Sequence, residues 1–143
     1  MVPVEVEGIR VGRDGTSERT DQGTLIPDDR TYVMLKDAVK KRGLDIQVGH
    51  FEALAISSGL EGQRWERPMT HDLLGQVIAA LGATLRQVLI TEHREDIFFA
   101  EMELTDRGGA PVTVSARPSD AIALALRLNV PILVSETLLA GAA

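Results

Sequence analysis

A continuous apolar stretch, Ala121 to Leu126, constrains the fold of this chain more than any other feature. It lies inside the predicted helix 118–128, in which Pro118 suits the first helical position. The stretch is longer than one helical turn, so every side of this helix is apolar and must be covered by other parts of the protein. It is too short to cross a bilayer, which needs about 20 residues. We therefore expect it to be the buried helix of a globular domain.

The rest of the chain alternates between strand-like and helix-like patterns that could enclose this helix. Apolar residues at every second position predict strands, and apolar residues on one face of a 3.6-residue period predict helices. The predicted strands cover residues 2–11, 32–35, 44–48, 85–91, 97–104, 112–116 and 131–134. The predicted helices cover residues 50–58, 70–81 and 118–128. This order predicts an α+β fold: a mixed, mainly antiparallel sheet of five to seven strands packed with three main helices.

Polar and glycine-containing segments separate these elements. Gly8 interrupts the pattern of the first strand and predicts a bulge or bend there. Residues 13–29 are rich in Gly, Thr, Asp and charge and poor in apolar residues, which predicts a loop or a mobile insertion. Residues 37–43 predict a charged turn or a short helical excursion. Hairpin turns are predicted at residues 93–96 and 106–110.

The composition is that of an ordinary globular domain without cysteine. The chain has 143 residues, a common size for one domain, and we expect a single domain over residues 1–143. The absence of cysteine rules out disulfides, thiolate zinc sites and cysteine nucleophiles, and it fits a reducing compartment. The first residues do not follow the pattern of a signal peptide. We therefore expect a cytoplasmic protein without membrane contact.

The net charge of −6 limits how this chain could bind nucleic acid. A general nucleic-acid-binding protein usually carries a basic face that displaces the counterions of phosphate. This chain as a whole repels polyanions, so any contact with nucleic acid must be local. The aromatic residues are few for a surface that stacks bases: Tyr32, Phe51, Trp65, Phe98 and Phe99.

Polar side chains are concentrated at the predicted starts of the three helices. A helix start presents unpaired N–H groups and the positive end of the helix dipole, which together favour anions. The candidate functional residues at these starts are His50, Glu52, Thr70, His71, Asp72, Arg117, Ser119 and Asp120. This set could carry acid–base chemistry, or it could hold a divalent cation such as Mg²⁺ or Mn²⁺ through carboxylate oxygens.

The same residues also have an ordinary structural interpretation as helix caps. Thr70 is a good N-cap, and Asp72 stands where an acid stabilises a helix start. Asp120 could complete an ordinary cap of the third helix. Taken one at a time, these residues are more often caps than catalysts. Glu52 differs, because a carboxylate at the opening of a mostly apolar helix needs a partner, and Arg117 could supply one.

Longer motifs surround these candidate residues. Signatures of other enzyme classes, such as Gly-x-Ser-x-Gly, His-Glu-x-x-His and Gly-rich phosphate loops, are absent. The motifs are Val48-Gly49 with Glu52-Ala53, Arg67 to Leu74, Ala116 to Ala125, Val4 to Ile9 and Val130 to Ile132. In these motifs the chain resembles the bifunctional nuclease domain family, a small α+β domain of bacteria, archaea and plants.

This resemblance implies a nuclease that acts on RNA and DNA. On one hypothesis, Glu52, Asp72 and Asp120 hold a divalent ion that polarises a phosphoryl oxygen and activates water. His71 is then the acid–base group. The residues assigned to substrate binding are Arg117, which would hold the scissile phosphate, with Ser119, Thr70 and His50. We expect little sequence preference, because the chain lacks the means to read base edges in a groove.

A second hypothesis is a non-catalytic oligomeric module that binds an anion, nucleic acid or a protein. On this hypothesis, the same polar residues cap helices and pair with one another. Under either hypothesis we expect a homo-oligomer, with a dimer favoured. The reason is that Phe98, Met102 and Leu104 lie near alternating positions of one strand and would need a partner to cover them.

Overall fold

The computed structural model describes residues 1–12, 17–19, 25–27, 30–39 and 41–140, and these residues form nine strands and four helices. The strands are β1 (Val2–Val11), β2 (Ser17–Arg19), β3 (Leu25–Pro27), β4 (Thr31–Asp37), β5 (Arg42–Val48), β6 (Thr84–Arg94), β7 (Ile97–Thr105), β8 (Pro111–Ala116) and β9 (Ile132–Val134). The helices are α1 (His50–Leu60), α2 (Thr70–Ala80), α3 (Pro118–Leu128) and α4 (Glu136–Ala140). The predicted α+β fold is confirmed.

Seven of the strands form one mixed sheet in the order β5-β4-β1-β9-β6-β7-β8. Neighbouring strands are antiparallel except β6 and β9, which run parallel. The parallel pair follows from the path of the chain, because α3 crosses the sheet after β8 and delivers β9 to the far side of β6. The pairing of β1 with β4 shifts between Val6 and Gly8, which confirms the predicted irregularity at Gly8.

The helices begin and end close to their predicted positions. α3 spans the predicted residues, α2 ends one residue earlier than predicted, and α1 continues two residues further, to Leu60. Asn129 ends α3 in the left-handed conformation, with φ of 54°. Gly82 turns the chain after α2 with φ of 78°, a conformation that glycine adopts easily. No described helix is long and apolar enough to cross a membrane.

α3 lies at the centre of the core, as its apolar circumference predicts. Ile122 and Leu124 are 0% exposed. α1 and α2 both pack against α3, and α3 in turn lies on β6 and β7. The starts of the three helices are therefore held close to one another by the packing of the core.

Two expectations about the outer parts of the chain need correction. Inside the segment 13–29, which we expected to be a loop, β2 and β3 pair with each other as antiparallel strands, and its other residues lie outside the described part of the chain. Met102 and Leu104 need no partner subunit, because they are only 8% and 9% exposed in the core of the single chain. Phe98 also packs against that core. The reason we gave for expecting an oligomer is therefore wrong.

Candidate active site

Four of the predicted functional side chains meet where the starts of α1, α2 and α3 converge. Glu52, His71, Arg117 and Asp120 line one pocket of about 670 Å³. Glu52 comes from the first turn of α1, His71 from the first turn of α2 and Asp120 from the first turn of α3, while Arg117 directly precedes α3. The packing of α1 and α2 on α3 thus assembles residues that are 68 positions apart in the sequence.

His71 and Asp120 form a hydrogen-bonded pair at the inner side of this pocket. The Nε2 atom of His71 lies 2.9 Å from Oδ1 of Asp120. The side chain of His71 is 12% exposed and that of Asp120 is 34% exposed. An ionised carboxylate can only accept hydrogen bonds, so Nε2 carries the hydrogen in this pair. In the neutral imidazole, Nδ1 then keeps its lone pair and could accept a proton.

Arg117 connects this pair to Glu52. Its Nε atom donates to Oδ2 of Asp120 at 3.0 Å, and its Nη2 atom donates to Oδ1 of the same carboxylate at 3.3 Å. Its Nη1 atom donates to Oε1 of Glu52 at 3.3 Å. The arginine partner that the sequence suggested for Glu52 is therefore present. The side chain of Arg117 remains 64% exposed, so it still faces solvent.

These contacts change the proton affinities of Asp120 and Arg117. Burial alone would raise the pKa of Asp120, but the hydrogen bonds from Arg117 and His71 outweigh it and leave that pKa below its ordinary value. The hydrogen bond to Asp120 is the main reason that the pKa of Arg117 is raised. Asp120 is therefore ionised at neutral pH and Arg117 is charged.

Asp72 does not join this cluster. Its Oδ1 atom accepts a hydrogen bond from Nε of Arg127 at 2.8 Å, and its Oδ2 atom accepts one from the backbone N–H of Met69 at 3.0 Å. The second contact is the helix-start role that the sequence suggested for an acid at this position. Arg127 also donates from Nη1 to the backbone oxygens of Ala55 and Ala123, at 3.0 and 2.9 Å. Asp72 therefore helps to tie α2 to α3.

The described residues do not fit the three-carboxylate metal site that the sequence suggested. They contain no group of three His, Asp or Glu side chains that could hold a metal ion. Asp72 is engaged by Arg127, and the guanidinium of Arg117 lies against both Glu52 and Asp120. The guanidinium of Arg117 therefore already occupies the space between the carboxylates of Glu52 and Asp120.

The three weaker candidates for substrate binding have different positions. Thr70 lines the pocket, but the N-cap of α2 is Met69, so the capping role that we assigned to Thr70 is wrong. Ser119 is only 7% exposed and lines a neighbouring groove on the other side of Glu52 and Arg117. His50 is exposed and contacts the ring of Phe51 edge-on, with 5.9 Å between the centroids. Of these three candidates, only Thr70 therefore lies in the pocket with His71.

Sequence reasoning missed two residues of this region. Trp65 lines the pocket, and its Nε1 atom donates to Oγ of Ser58 at 3.1 Å. Arg127 supports the pocket by joining α1, α2 and α3. Its partners lie between 4 and 72 positions away in the sequence, so no local pattern marks it.

Comparisons with known proteins agree with the resemblance that the sequence motifs carry. A family model described as the bifunctional nuclease domain matches residues 33–143. An uncharacterized protein of Mycobacterium tuberculosis is 40% identical over 142 residues, which cover 99% of this chain and 76% of that protein. Bifunctional nuclease 1 of Arabidopsis thaliana is 29% identical over 97 residues, covering 66% of this chain and 30% of its own length. Bifunctional nuclease 2 of Oryza sativa subsp. japonica is 27% identical over 135 residues, covering 88% of this chain and 42% of its own length.

Proposed function

The chain belongs to the bifunctional nuclease domain family, and on that premise we propose that it is a nuclease that hydrolyses phosphodiester bonds in RNA and DNA with little sequence preference. The names of its plant relatives support the type of reaction. Cytoplasmic location and binding of nucleic acid through a local site belong to the same proposal. The cysteine-free composition and the negative net charge support these two points.

The observation that carries this proposal is the His71–Asp120 pair beside the exposed guanidinium of Arg117. In the proposed mechanism, Nδ1 of His71 takes a proton from the water that attacks phosphorus. The P–O bond to the leaving sugar oxygen breaks, that oxygen takes a proton from solvent, and the imidazolium returns its own proton to solvent. Asp120 holds the imidazole through Nε2 and stabilises the positive charge that the ring acquires. Arg117 donates to a phosphate oxygen and stabilises the charge that develops there. Glu52 keeps Arg117 in position.

No step of this mechanism passes through a metal ion, because the described carboxylates do not fit a three-carboxylate site. A requirement for Mg²⁺ or Mn²⁺ stays a prediction of the sequence. A chelator tests it directly, because chelation abolishes cleavage by an enzyme that needs the ion and leaves the proposed His71 reaction intact.

Activity measurements on highly purified variants test the proposed roles. General acid–base catalysis is worth roughly 10²- to 10⁴-fold, so His71→Ala and Asp120→Asn should each lower kcat on single-stranded RNA and DNA by about that factor. Glu52→Gln should have a smaller effect, since Arg117 keeps its two contacts with Asp120. Asp106→Asn is the matched control for Asp120→Asn, because Asp106 is exposed between β7 and β8 and lines neither the pocket nor the neighbouring groove.

The result can also contradict the proposal. Equal cleavage by the wild type, His71→Ala and Asp120→Asn would identify a contaminating nuclease as the source of the activity. An unchanged kcat for His71→Ala alone would remove His71 from the mechanism. Each reaction is run with and without chelator.

A second candidate function is a non-catalytic oligomeric module that binds an anion, nucleic acid or a protein. The observation that favours it is that Glu52, His71, Arg117 and Asp120 already pair with one another through hydrogen bonds and ion pairs. Such a cluster can hold three helix starts together without performing chemistry. Binding of an oligonucleotide or protein partner without any cleavage would favour this function.

We further propose that the protein is a homodimer under either function. Leu73, Val77 and Leu81 lie four positions apart along α2 and its C-terminal end, and we call them the α2 stripe. They are 51%, 44% and 68% exposed in the single chain. An apolar stripe at this spacing is an ordinary helix-packing surface and is costly to leave in water. A second copy of the chain, packing the same stripe against it, would cover it on both subunits.

A further inference from the structure

We propose that the pocket beside His71 and Arg117 contains a nucleobase subsite in which Trp65 stacks on one base of a single-stranded nucleic acid, while Arg64 and Arg67 hold the adjoining phosphates. This inference rests on the proposed function and deepens it by naming the form of the substrate and the residues that bind it. The observations that carry it lie in the segment 61–69 between α1 and α2.

Trp65 is an exposed ring that is held in place. It is 47% exposed, although tryptophan is usually covered, and it lines the pocket that also contains His71 and Arg117. Its only hydrogen-bonding group, Nε1–H, is used by the Oγ atom of Ser58, a buried residue of α1. A ring fixed through its edge in this way loses little freedom when a base stacks on it.

Further apolar side chains complete the walls of the same pocket. Phe51 is 80% exposed and Met69 is 53% exposed, and both line it. Two of the chain's few aromatic residues therefore lie beside the candidate active site. The pocket volume of about 670 Å³ falls within the range of sites that bind small organic groups.

Unpaired arginines flank the tryptophan. Arg64 and Arg67 stand on either side of Trp65 in the sequence, with Glu66 as the one acid between them, and all four residues are exposed. Within the described residues, neither Arg64 nor Arg67 forms an ion pair. Arginines that alternate with an aromatic ring are the usual means by which proteins bind single strands without reading sequence. Residues 64–67 thus carry two positive charges and one negative charge, a small local excess that favours phosphate in this acidic protein.

The geometry selects a single strand over a duplex. A base inside a duplex is already stacked on both faces, so it would have to leave the helix to reach a tryptophan in a pocket. A base of a single strand is free to stack there, and every base offers an aromatic face. The expected ligand is therefore single-stranded RNA or DNA with little preference for sequence.

Because Trp65 is the only tryptophan of the chain, its fluorescence reports on this subsite alone. The 143-residue chain is titrated at low salt with an eight-residue oligothymidylate and with an abasic oligonucleotide that carries the same number of phosphates. The oligothymidylate should quench the fluorescence of Trp65 to saturation, and the abasic strand should not. Stacking of one base predicts that the abasic strand binds roughly 5- to 150-fold more weakly. A gel after each titration verifies that the strands are intact.

Variants separate stacking from charge in an anisotropy assay with labelled oligothymidylate. Trp65→Phe should keep most of the affinity, whereas Trp65→Leu should lower it to that of the abasic strand. Arg64→Gln and Arg67→Gln should each weaken both strands several-fold. Arg86→Gln, which removes the same charge from β6 away from the pocket, should change neither.

Three results would overturn the subsite. These are equal affinity for the two strands, binding that Trp65→Leu leaves unchanged, and a loss of binding in Trp65→Leu that accompanies a change in the mass of the particle. The last result would assign Trp65 to a subunit interface. Cleavage is measured separately, so cleavage without base-dependent binding would retain the nuclease and reject the subsite. Base-dependent binding without cleavage would retain the subsite and reject the nuclease.

Discussion

Asp120 accepts hydrogen bonds from two different side chains, which distinguishes it from an ordinary helix cap. A carboxylate in the first turn of a helix usually accepts from the backbone N–H groups of that turn. Asp120 instead accepts from Arg117 and His71, and Pro118 has no N–H to offer. The first turn of α3 therefore presents its carboxylate to the pocket, where it fixes both the imidazole and the guanidinium.

The lowered pKa of Asp120 predicts how stability depends on pH. The folded protein gives up this proton more readily than the unfolded chain, so the ionised carboxylate stabilises the fold above the ordinary aspartate pKa of about 3.9. That stabilisation is lost as the pH falls through the lower pKa of the folded state. Asp120→Asn should lower the free energy of unfolding by roughly 1 kcal/mol at pH 7, and this difference from wild type should shrink below about pH 4.

Urea denaturation at a series of pH values from 7 to 3 measures this difference. Asp96→Asn makes the same chemical change at an exposed position between β6 and β7 and serves as the control. A free-energy difference between wild type and Asp120→Asn that stays constant over the whole pH range would contradict the prediction.

The sequence indicated which residues belong to the site, but only some of the contacts between them. Glu52 at the start of an apolar helix requires a partner, and that requirement led correctly to Arg117. Asp72 looked equivalent to Asp120 in the sequence, since each is an acid near a helix start. The two differ in the structure, because Asp72 pairs with Arg127 at the C-terminal end of α3 and not with the cluster around Asp120. Such a long-range contact depends on how α2 packs on α3, which no local pattern contains.

At the scale of elements, two glycines let the outer helices approach α3. A β-carbon on Gly59 of α1 would lie 2.8 Å from Nη1 of Arg127 and 3.3 Å from Cβ of Leu126. A β-carbon on Gly75 of α2 would lie 3.2 Å from Cδ2 of Leu128. The neighbours differ in freedom, because Arg127 is held by three hydrogen bonds, whereas Leu128 is partly exposed and can move.

This difference predicts opposite outcomes for the same substitution. Replacing a helical glycine by alanine gains about 1 kcal/mol of helix propensity when nothing obstructs the new methyl group. Gly75→Ala should therefore leave the free energy of unfolding within about 1 kcal/mol of wild type. Gly59→Ala should destabilise by about 1–3 kcal/mol, because it displaces Arg127 from charge-assisted hydrogen bonds. Chemical denaturation of the two variants in parallel provides the measurement, and an equal effect at both positions would refute the assigned role of Arg127.

The elements themselves were largely predictable, because each depends on a local pattern. The apolar circumference of α3 correctly placed it in the core, and alternating residues or short apolar runs located all seven strands of the main sheet. β2 and β3 were missed because their segment is polar and glycine-rich, and their pairing is with each other rather than with the core. The parallel pair of β6 and β9 depends on the route of the chain over the sheet, which a strand pattern does not specify.

At the scale of the whole molecule, the charge distribution and the apolar surface determine how the protein meets its partners. A net charge of −6 repels nucleic acid, so a polyanion can bind only where local arginines exceed their acidic neighbours. Residues 64–67 meet that condition, with two arginines and one glutamate. The α2 stripe is apolar rather than charged, and a second copy of the chain does not need to overcome repulsion at the stripe itself.

The dimer stays a prediction, and the surface proposed for it is now the α2 stripe in place of Phe98, Met102 and Leu104. Wild-type protein at micromolar concentration should show a mass of twice 15.5 kDa by light scattering. Val77→Glu should reduce it to 15.5 kDa, because a carboxylate at the centre of the stripe would be buried without a partner in the dimer.

The control for this change is Gln76→Glu, which adds the same charge at the neighbouring exposed position of α2 and should leave the dimer intact. Circular dichroism of each variant verifies that α2 still folds. A wild-type mass of 15.5 kDa would exclude the dimer, whereas a dimer that survives Val77→Glu would place the interface elsewhere on the molecule.

Because Met69 lies one turn before Leu73 at the rim of the pocket, an interface along the stripe would also bring the partner subunit close to the proposed base subsite. Monomeric Val77→Glu should then bind oligothymidylate differently from wild type only if the partner contributes to that subsite.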